Sequence, residues 1–299
     1  MSLLGVRTLD IIASQHQITL PSNALRALMK QTLEGMRAFH STGLVHRDIK
    51  CDNILLHSPP GSGRVYTKIS DFGFAKKEDL TNTQTYLAGT SPEQFQKNAL
   101  ITQKVDIYAL GITFYKLITH KYPLNERNFK EQGIKIKQLK RIERPSKISD
   151  NILWNLLSQL LEFDPNKRIT AEEALQNPYF TSHEAITVIS KEQQDLASLA
   201  TVAQLDGDQS ITEFDKDPTF IVEETIIKQF IPSEILKNQQ KLNNEKVKEK
   251  EEIYPNTQSS SSEVYPSSQS SSQSLQFLPS SYSEIIFIII YCNRRIIIS

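Results

Sequence analysis

Eight consecutive residues near the start of the chain, His46 to Asn53, carry most of the side chains that can do chemistry. They read His-Arg-Asp-Ile-Lys-Cys-Asp-Asn, and Asp71-Phe72-Gly73 follows farther along. Carboxylate and amide oxygens are the ligands that Mg²⁺ prefers. Phosphoryl transfer needs a group that orients the attacking hydroxyl, a nearby cation and a bound metal ion. The pattern therefore favours phosphoryl transfer, with Asp48 at the hydroxyl, Lys50 as the cation, and Asn53 and Asp71 at the metal.

A short hairpin is predicted to bring these residues together. Apolar residues at 54–56 and alternating residues at 65–69 indicate two strands, and the loop between them contains two prolines and two glycines. Because the second strand runs back along the first, Asn53 and Asp71 should lie side by side. Gly73 is expected to allow the sharp backbone turn that aims Asp71.

Helices are predicted to surround this hairpin. Apolar residues recur at helical spacing over roughly 22–41, 107–117 and 152–161. A short last helix is predicted at 171–176, ended by Pro178. The expected fold is mainly α, with one small β-hairpin.

The order and spacing of HRDxKxxN and DFG resemble the eukaryotic-type protein kinase family, and Lys50 resembles its Ser/Thr-directed branch. The resemblance covers roughly residues 8–180. It implies a Ser/Thr kinase that uses ATP and Mg²⁺ and acts on a protein substrate. It implies that Asp48 and Lys50 are catalytic, that Lys50, Asn53 and Asp71 contact the nucleotide, and that Asn53 and Asp71 hold the metal. His46, Arg47 and Gly73 would support the site structurally.

Three motifs downstream extend the resemblance. Ser91-Pro92-Glu93 resembles the APE motif, and the segment from Asp106 to Gly111 resembles the DxWxxG start of the family's central helix. The resemblance implies a buried ion pair between Glu93 and Arg168, the alternative being a weak surface pair. It also implies that Asp106 accepts hydrogen bonds from the catalytic-loop backbone, the alternative being an acid that only favours the helix N-terminus.

Arg47, next to Asp48, resembles the arginine that binds a phosphorylated residue of the activation segment in many kinases. Phosphate opposite an arginine can order a segment through charge-assisted hydrogen bonds. The candidate phosphorylation sites in that segment are Thr81, Thr83 and Thr85.

Two features depart from the family pattern. The residues before His46 contain no GxGxxG and no VAIK-like strand. The resemblance is therefore to the large, C-terminal lobe, with most of the N-terminal lobe missing, and we expect little activity from this chain alone. In addition, Ser91 follows Gly89-Thr90 directly, where the family has several more residues that support a substrate peptide.

Composition separates the folded region from a tail. We expect a partial kinase domain at 1–180, a partly ordered extension at 181–235, and a disordered low-complexity tail at 236–299 that contains a short apolar run at 285–292. The tail is a candidate site for regulatory partners. Lys and Arg total 34, as do Asp and Glu, so no nucleic-acid or membrane partner is expected. Two distant cysteines favour a reducing compartment and a cytoplasmic location.

A second class of function stays open from the sequence alone. The shortened substrate region and the absent lobe also fit a non-catalytic binding or scaffold module. An incomplete domain that folds poorly is a third possibility. Binding of Mg²⁺–ATP separates the enzyme from the module, because only the enzyme should be stabilised by the nucleotide.

Overall fold

A computed structural model describes residues 7–77, 87–233 and 235. Within these residues, seven helices lie before Ser182 and four follow it. The helices are α1 Asp10–Ala13, α2 Ser22–His40, α3 Lys104–Thr119, α4 Phe129–Gln138, α5 Asn151–Leu160, α6 Ala171–Leu175, α7 Pro178–Thr181, α8 His183–Thr187, α9 Lys191–Leu205, α10 Glu213–Lys216 and α11 Glu224–Lys228. The strands are β1 Arg7–Thr8, β2 Leu44–Val45, β3 Ile54–His57, β4 Arg64–Ile69, β5 Lys76–Lys77 and β6 Val222–Glu223.

The long helix α2 forms because its apolar residues fall on one face and Pro21 precedes its first turn. That face is buried and includes Leu28, Met29, Leu33 and Met36. The chain then leaves the helix through Gly43, whose φ of 77° is the left-handed conformation that glycine adopts without strain. The predicted helix at 22–41 is confirmed within one residue.

Helix α3 lies at the centre of the fold. Its residues are buried on all sides, from Val105 to Leu117, as expected of a helix that is apolar all round. Gly111 allows close approach of the α5 end: a Cβ added there would lie 2.9 Å from Leu161 Cδ2. The helix therefore provides a rigid base for the loops above it.

The predicted hairpin is present, but the sheet is larger than predicted. Strands β3 and β4 pair antiparallel with Ile54 opposite Ile69. β1 adds to β3, and β6 adds to β4 with Val222 opposite Val65, so the order is β1-β3-β4-β6. A separate two-stranded sheet joins β2 to β5. Two-residue strands have too few residues for an alternating pattern, which is why the sequence predicts only the hairpin.

One helix prediction is corrected, and one helix was not predicted. Pro178 does not simply end the helix at 171–176, because it is the first residue of α7, where a proline without an N–H is tolerated. Helix α4 was not predicted, since it has few apolar residues. Its capping signal was readable: Asn128 accepts a hydrogen bond from the Glu131 backbone N–H at 3.0 Å.

The extension after Thr181 forms three short helices and the 15-residue helix α9, and it packs against α2 and β4. Arg64 Nη1 contacts Asp215 Oδ1 at 3.1 Å, and Ser58 Oγ donates to Glu224 Oε1 at 2.8 Å. Phe230 and Val222 are buried in the main core. The domain boundaries at 180 and 235 stay predictions, and the tail at 236–299 lies outside the described residues. No helix in the described part of the chain has the length and apolar character needed to span a membrane.

Candidate active site

The loop His46–Asn53, which the sequence predicts to be the catalytic loop, brings three of the predicted site residues into direct contact. Lys50 has an extended backbone, with φ of −159° and ψ of 168°, and its Nζ lies 2.8 Å from Asp48 Oδ2. Asn53 Nδ2 donates to the same Oδ2 and to the Asp48 backbone carbonyl, both at 2.8 Å. The Asp48 side chain is buried, so these contacts fix its orientation.

Asp71 is placed beside this loop by the hairpin. The Ser70 N–H donates to the Asn53 carbonyl at 2.9 Å, one step beyond the Ile54–Ile69 pair. His46 Nε2 also contacts the Ser70 carbonyl at 3.1 Å. The residue before Asp71 is therefore held from both sides by the His46–Asn53 loop.

The backbone turn at Asp71 differs from the prediction. Asp71 itself adopts the left-handed conformation, with φ of 63° and ψ of 68°, whereas Gly73 is not among the positive-φ residues. An aspartate tolerates this region better than most residues. The prediction that Gly73 supplies the sharp turn is wrong. Gly73 instead leaves room, because a Cβ there would lie 3.3 Å from Asp71 Oδ1.

Aromatic packing anchors the residue after Asp71. The Phe72 ring stacks on Phe39 of α2, with ring centroids 5.5 Å apart, and lies 5.2 Å from the His46 ring. Such pairs favour offset or tilted arrangements over face-to-face contact. The packing of Phe72 therefore fixes the position of the adjacent Asp71 relative to the core.

Asp106, in the first turn of α3, holds the start of the catalytic loop. Its Oδ2 accepts from the His46 N–H at 2.7 Å and its Oδ1 from the Arg47 N–H at 2.8 Å. His40 Nε2 lies 2.9 Å from Oδ2. The predicted hydrogen bonds to the loop backbone are confirmed. They also allow Arg47 to keep its unusual φ of 71°.

Glu93 and Arg168 form the ion pair that the sequence predicts. Arg168 Nη1 and Nη2 contact the two Glu93 oxygens at 2.7 and 2.9 Å, a bidentate geometry. The Arg168 Nε donates to the Glu162 carbonyl and Nη1 donates to the Lys104 carbonyl. Both side chains are buried, which excludes the surface-pair alternative.

Burial controls the protonation of two residues in the loop. It lowers the pKa of His46, although Asp106, the Ser70 carbonyl, Asp48 and Asp71 partly oppose this. A neutral His46 with its proton on Nε2 can donate to the Ser70 carbonyl. Burial also raises the pKa of the Cys51 thiol to about 12. Cys51 therefore stays an unreactive thiol at neutral pH.

The activation segment is described only at its two ends. Arg47 is buried and its Nη2 donates to the Lys77 carbonyl at 3.1 Å. The candidate phosphorylation sites Thr81, Thr83 and Thr85 lie outside the described residues, so their relation to Arg47 stays a prediction. At the far end, the Ser91 N–H donates to Gln94 Oε1 at 2.9 Å and begins the turn Pro92–Phe95.

Asn53 and Asp71 provide oxygen atoms that fit a magnesium ion. Asn53 uses its amide nitrogen for both bonds to Asp48, which leaves the amide oxygen for another partner. The Asp71 side chain is exposed and makes no hydrogen bond to another described residue. No cluster of three or more His, Cys, Asp or Glu that could hold a metal ion occurs within 7–77, 87–233 and 235. Two protein ligands leave the other positions to phosphate and water, as is usual for Mg²⁺ at nucleotide sites.

Ser70 and His40 are supporting residues whose contacts the sequence did not assign. Ser70 links Asn53 to the residue before Asp71, and His40 contacts Asp106 across α2 and α3. The position of Ser70 directly before the DFG motif was a usable signal. No such signal pointed to the contact of His40 with Asp106, because a histidine at the C-terminal end of a helix is most often explained by its interaction with the helix dipole.

The sequence of this region matches a known protein family. The protein kinase domain model matches residues 3–180. The chain belongs to the protein kinase family. The matched residues include the His46–Asn53 loop, Asp71 and Arg168, which together make up the candidate site.

Individual kinases show the same similarity. The chain is 33% identical over 193 residues to the serine/threonine-protein kinase STE20 of Candida glabrata, covering 62% of this chain and 20% of that protein. It is 32% identical over 196 residues to the DNA damage response protein kinase DUN1 of Saccharomyces cerevisiae, covering 57% of this chain and 37% of that protein. The kinase-like region thus spans well under half of either relative.

A solved structure shows the fold. A chain in the crystal structure of the yeast RNA Pol II CTD kinase CTDK-1 complex superposes with a TM-score of 0.53 at 23% identity. The match covers 59% of this chain and 68% of that one. The superposition shows a kinase-like fold. The described residues are about half helical with a small sheet, rather than mainly helical.

Proposed function

We propose that this site transfers the γ-phosphoryl group of ATP to serine or threonine hydroxyls of a protein substrate. The observation that carries the proposal is the contact of Lys50 and Asn53 with one oxygen of Asp48, with Asp71 beside them across the hairpin. Membership of the kinase family and similarity to Ser/Thr kinases support it.

Each residue has a role that its geometry supports. Asp48 orients the substrate hydroxyl and accepts its proton, while Lys50 balances negative charge beside it. Asn53 and Asp71 would hold Mg²⁺, and the bound ion supplies positive charge that neutralises the phosphate oxygens during transfer. Because Asp48 is buried, a substrate hydroxyl reaches it only after neighbouring groups move.

We further propose that residues 1–180 correspond to the larger lobe of the two-lobed kinase domain. The 299 residues contain no GxGxxG segment that would cover the phosphates. Nucleotide binding through the residues described here is therefore expected to be weak, and transfer impaired. Cytoplasmic location and partner binding through the tail at 236–299 stay proposals.

Thermal unfolding with increasing Mg²⁺–ATP tests the proposal. A ligand that binds only the folded state stabilises it by about 2.7 kcal/mol when present at about 100 times its Kd. The unfolding midpoint should rise for the wild type and for Asp52→Asn, which removes an exposed neighbouring carboxylate. The rise should vanish for Asp71→Asn.

Phosphoryl transfer to casein, used as a general protein probe, tests the role of Asp48. Asp48→Asn should keep the stabilisation by nucleotide and lower the transfer rate by roughly 10²–10⁴. The absence of any nucleotide stabilisation in the wild type would favour the non-catalytic binding module over the enzyme.

A further inference from the structure

A strongly basic surface surrounds helix α4. Residues 127–147 contain eight lysines and arginines and two glutamates, an excess of six positive charges in a chain whose formal net charge is zero. All eight basic side chains are exposed. Positive charge is therefore concentrated in this segment, although the whole chain has a formal net charge of zero.

Five of these eight cations lack a hydrogen bond or ion pair in the described structure. Lys135 contacts Glu126, Arg141 contacts Glu143, and Arg144 binds the start of α5. The side chains of the other five make no hydrogen bond or ion pair with another residue in the described ranges. These five are Arg127, Lys130, Lys137, Lys140 and Lys147.

Apolar side chains lie among the free cations. Lys130, Ile134 and Lys137 share one face of α4 because they are spaced by four and three residues. Ile134 is 50% exposed, and Phe129 and Leu139 at the two ends of the helix are 45% and 38% exposed. We call the set Phe129, Lys130, Ile134, Lys137, Leu139 and Lys140 the α4 surface.

Helix stability alone does not explain the α4 surface. Cations in the last turn, such as Lys137, interact favourably with the helix dipole, but Lys130 lies in the first turn, where the dipole disfavours a cation. Exposed Phe129 and Ile134 also gain nothing from facing water. Both features are explained if another molecule covers the surface.

The α4 surface is connected rigidly to the catalytic loop. The Phe129 and Phe95 rings pack in a tilted arrangement with centroids 4.5 Å apart, and Phe95 ends the turn that carries Glu93. Glu93 binds Arg168, which also donates to the Lys104 carbonyl at the start of α3. Asp106 in the same turn of α3 holds the catalytic loop. A segment bound at α4 would therefore lie at a fixed position relative to Asp48.

We propose that the α4 surface binds an acidic segment of the protein substrate that also carries apolar side chains. The inference rests on the proposed kinase function for the identity of the partner as a substrate. Carboxylates would meet Lys130, Lys137 and Lys140, and apolar side chains would cover Ile134 and Phe129. Charge complementarity of this kind mainly sets partner choice and association rate.

Equilibrium binding to the full 299-residue chain without nucleotide tests this proposal. The probe is a fluorescent peptide of about ten residues that alternates glutamate with leucine, long enough to cover about three turns of helix. Two comparison peptides replace the glutamates by lysine or the leucines by serine. A third comparison probe is a single-stranded oligonucleotide. Lys130→Glu/Lys137→Glu removes the charges and Ile134→Ser removes the apolar contact. Lys167→Glu/Lys191→Glu is the matched control, because both lysines form exposed surface pairs elsewhere.

The proposal expects saturable binding of the glutamate–leucine peptide only. Lys130→Glu/Lys137→Glu should weaken it at least about tenfold near 0.1 M salt, and less near 1 M salt, because the screening length falls from about 10 Å to about 3 Å. Ile134→Ser should weaken it as well, and the control variant should not.

Three results would overturn the proposal: no saturable peptide binding, equal weakening by the control variant, or tighter oligonucleotide binding that Ile134→Ser leaves unchanged. Stabilisation by Mg²⁺–ATP, measured on the same samples, distinguishes a failure of the α4 proposal from a failure of the kinase proposal. Nucleotide stabilisation without peptide binding overturns only the α4 inference. Peptide binding without nucleotide stabilisation overturns the kinase proposal and the identity of the partner as a substrate, and leaves the α4 surface as a binding site for acidic, apolar segments.

Discussion

At the scale of single residues, the site depends on buried charges that are fully paired. Asp106 accepts two backbone hydrogen bonds, Asp48 accepts from Lys50 and Asn53, and Glu93 binds both Nη atoms of Arg168. A buried charge without a partner is costly, so each pair fixes geometry as well as charge. These contacts hold the loop His46–Asn53 in place around Asp48.

Arg168→Leu tests how much the buried pair contributes. It leaves Glu93 charged and buried, which should lower the free energy of unfolding by about 3–5 kcal/mol. Urea unfolding followed by circular dichroism measures this. Lys167→Leu, at a 76% exposed neighbour, should change it by less than about 0.5 kcal/mol.

The double variant Glu93→Leu/Arg168→Leu should recover part of the loss, because no isolated charge remains. A loss below about 1 kcal/mol for Arg168→Leu would mean that the pair behaves as a surface pair in solution.

At the scale of secondary-structure elements, the periodicity of apolar residues predicted the helices and strands that are long enough to show it. The helix α2 and the β3–β4 hairpin have clear periodicity, and both are present. Strands β1 and β6 have two residues each, and their pairing depends on contacts with distant segments. The left-handed conformation of Asp71 was also not predictable, because hydrogen bonds to neighbouring Ser70 and packing of Phe72 hold it there.

Two helical glycines should respond oppositely to alanine. A Cβ at Gly111 in α3 would lie 2.9 Å from Leu161 Cδ2 and 3.1 Å from Leu160 Cβ, so Gly111→Ala should destabilise by about 1–3 kcal/mol. At Gly35 in α2 the nearest atom is Ile69 Cδ1 at 3.6 Å, an ordinary contact. Gly35→Ala should therefore stabilise by up to about 1 kcal/mol.

Thermal unfolding of the two variants and the wild type shows directly whether each substitution raises or lowers the unfolding midpoint. If Gly111→Ala raised the midpoint, the tight packing of α3 against the end of α5 would be wrong.

At the scale of the whole molecule, the extension beyond Thr181 is packed as part of the kinase-like fold. β6 completes the sheet at Val65, Asp215 binds Arg64, and Phe230 belongs to the same buried cluster as α2 and α5 residues. The sequence predicts only a partly ordered extension at 181–235, because α8, α10 and α11 are four or five residues long and too short to show a clear pattern. Their stability comes from contacts with α2 and β4 that no local pattern shows.

Phe230→Ala tests whether the extension unfolds together with the rest. Removing a buried phenylalanine should lower the free energy of unfolding by about 3–5 kcal/mol. Trp154, the single tryptophan, lies on α5 and packs against the same core, so its fluorescence reports unfolding of the kinase-like region.

The Trp154 transition should move to lower urea in Phe230→Ala and stay in place in Leu205→Ala, at an 82% exposed residue. An unchanged Trp154 transition in Phe230→Ala would show that the extension unfolds separately.

The convergence of Asn53 and Asp71 on one metal position is tested most directly by Mn²⁺, a paramagnetic substitute for Mg²⁺ with similar oxygen ligands. Electron paramagnetic resonance should detect bound Mn²⁺ in the presence of ATP for the wild type and for Asp52→Asn. Asn53→Leu and Asp71→Asn should each lose most of that bound signal. Equal Mn²⁺ binding by Asp71→Asn and the wild type would contradict the proposed site.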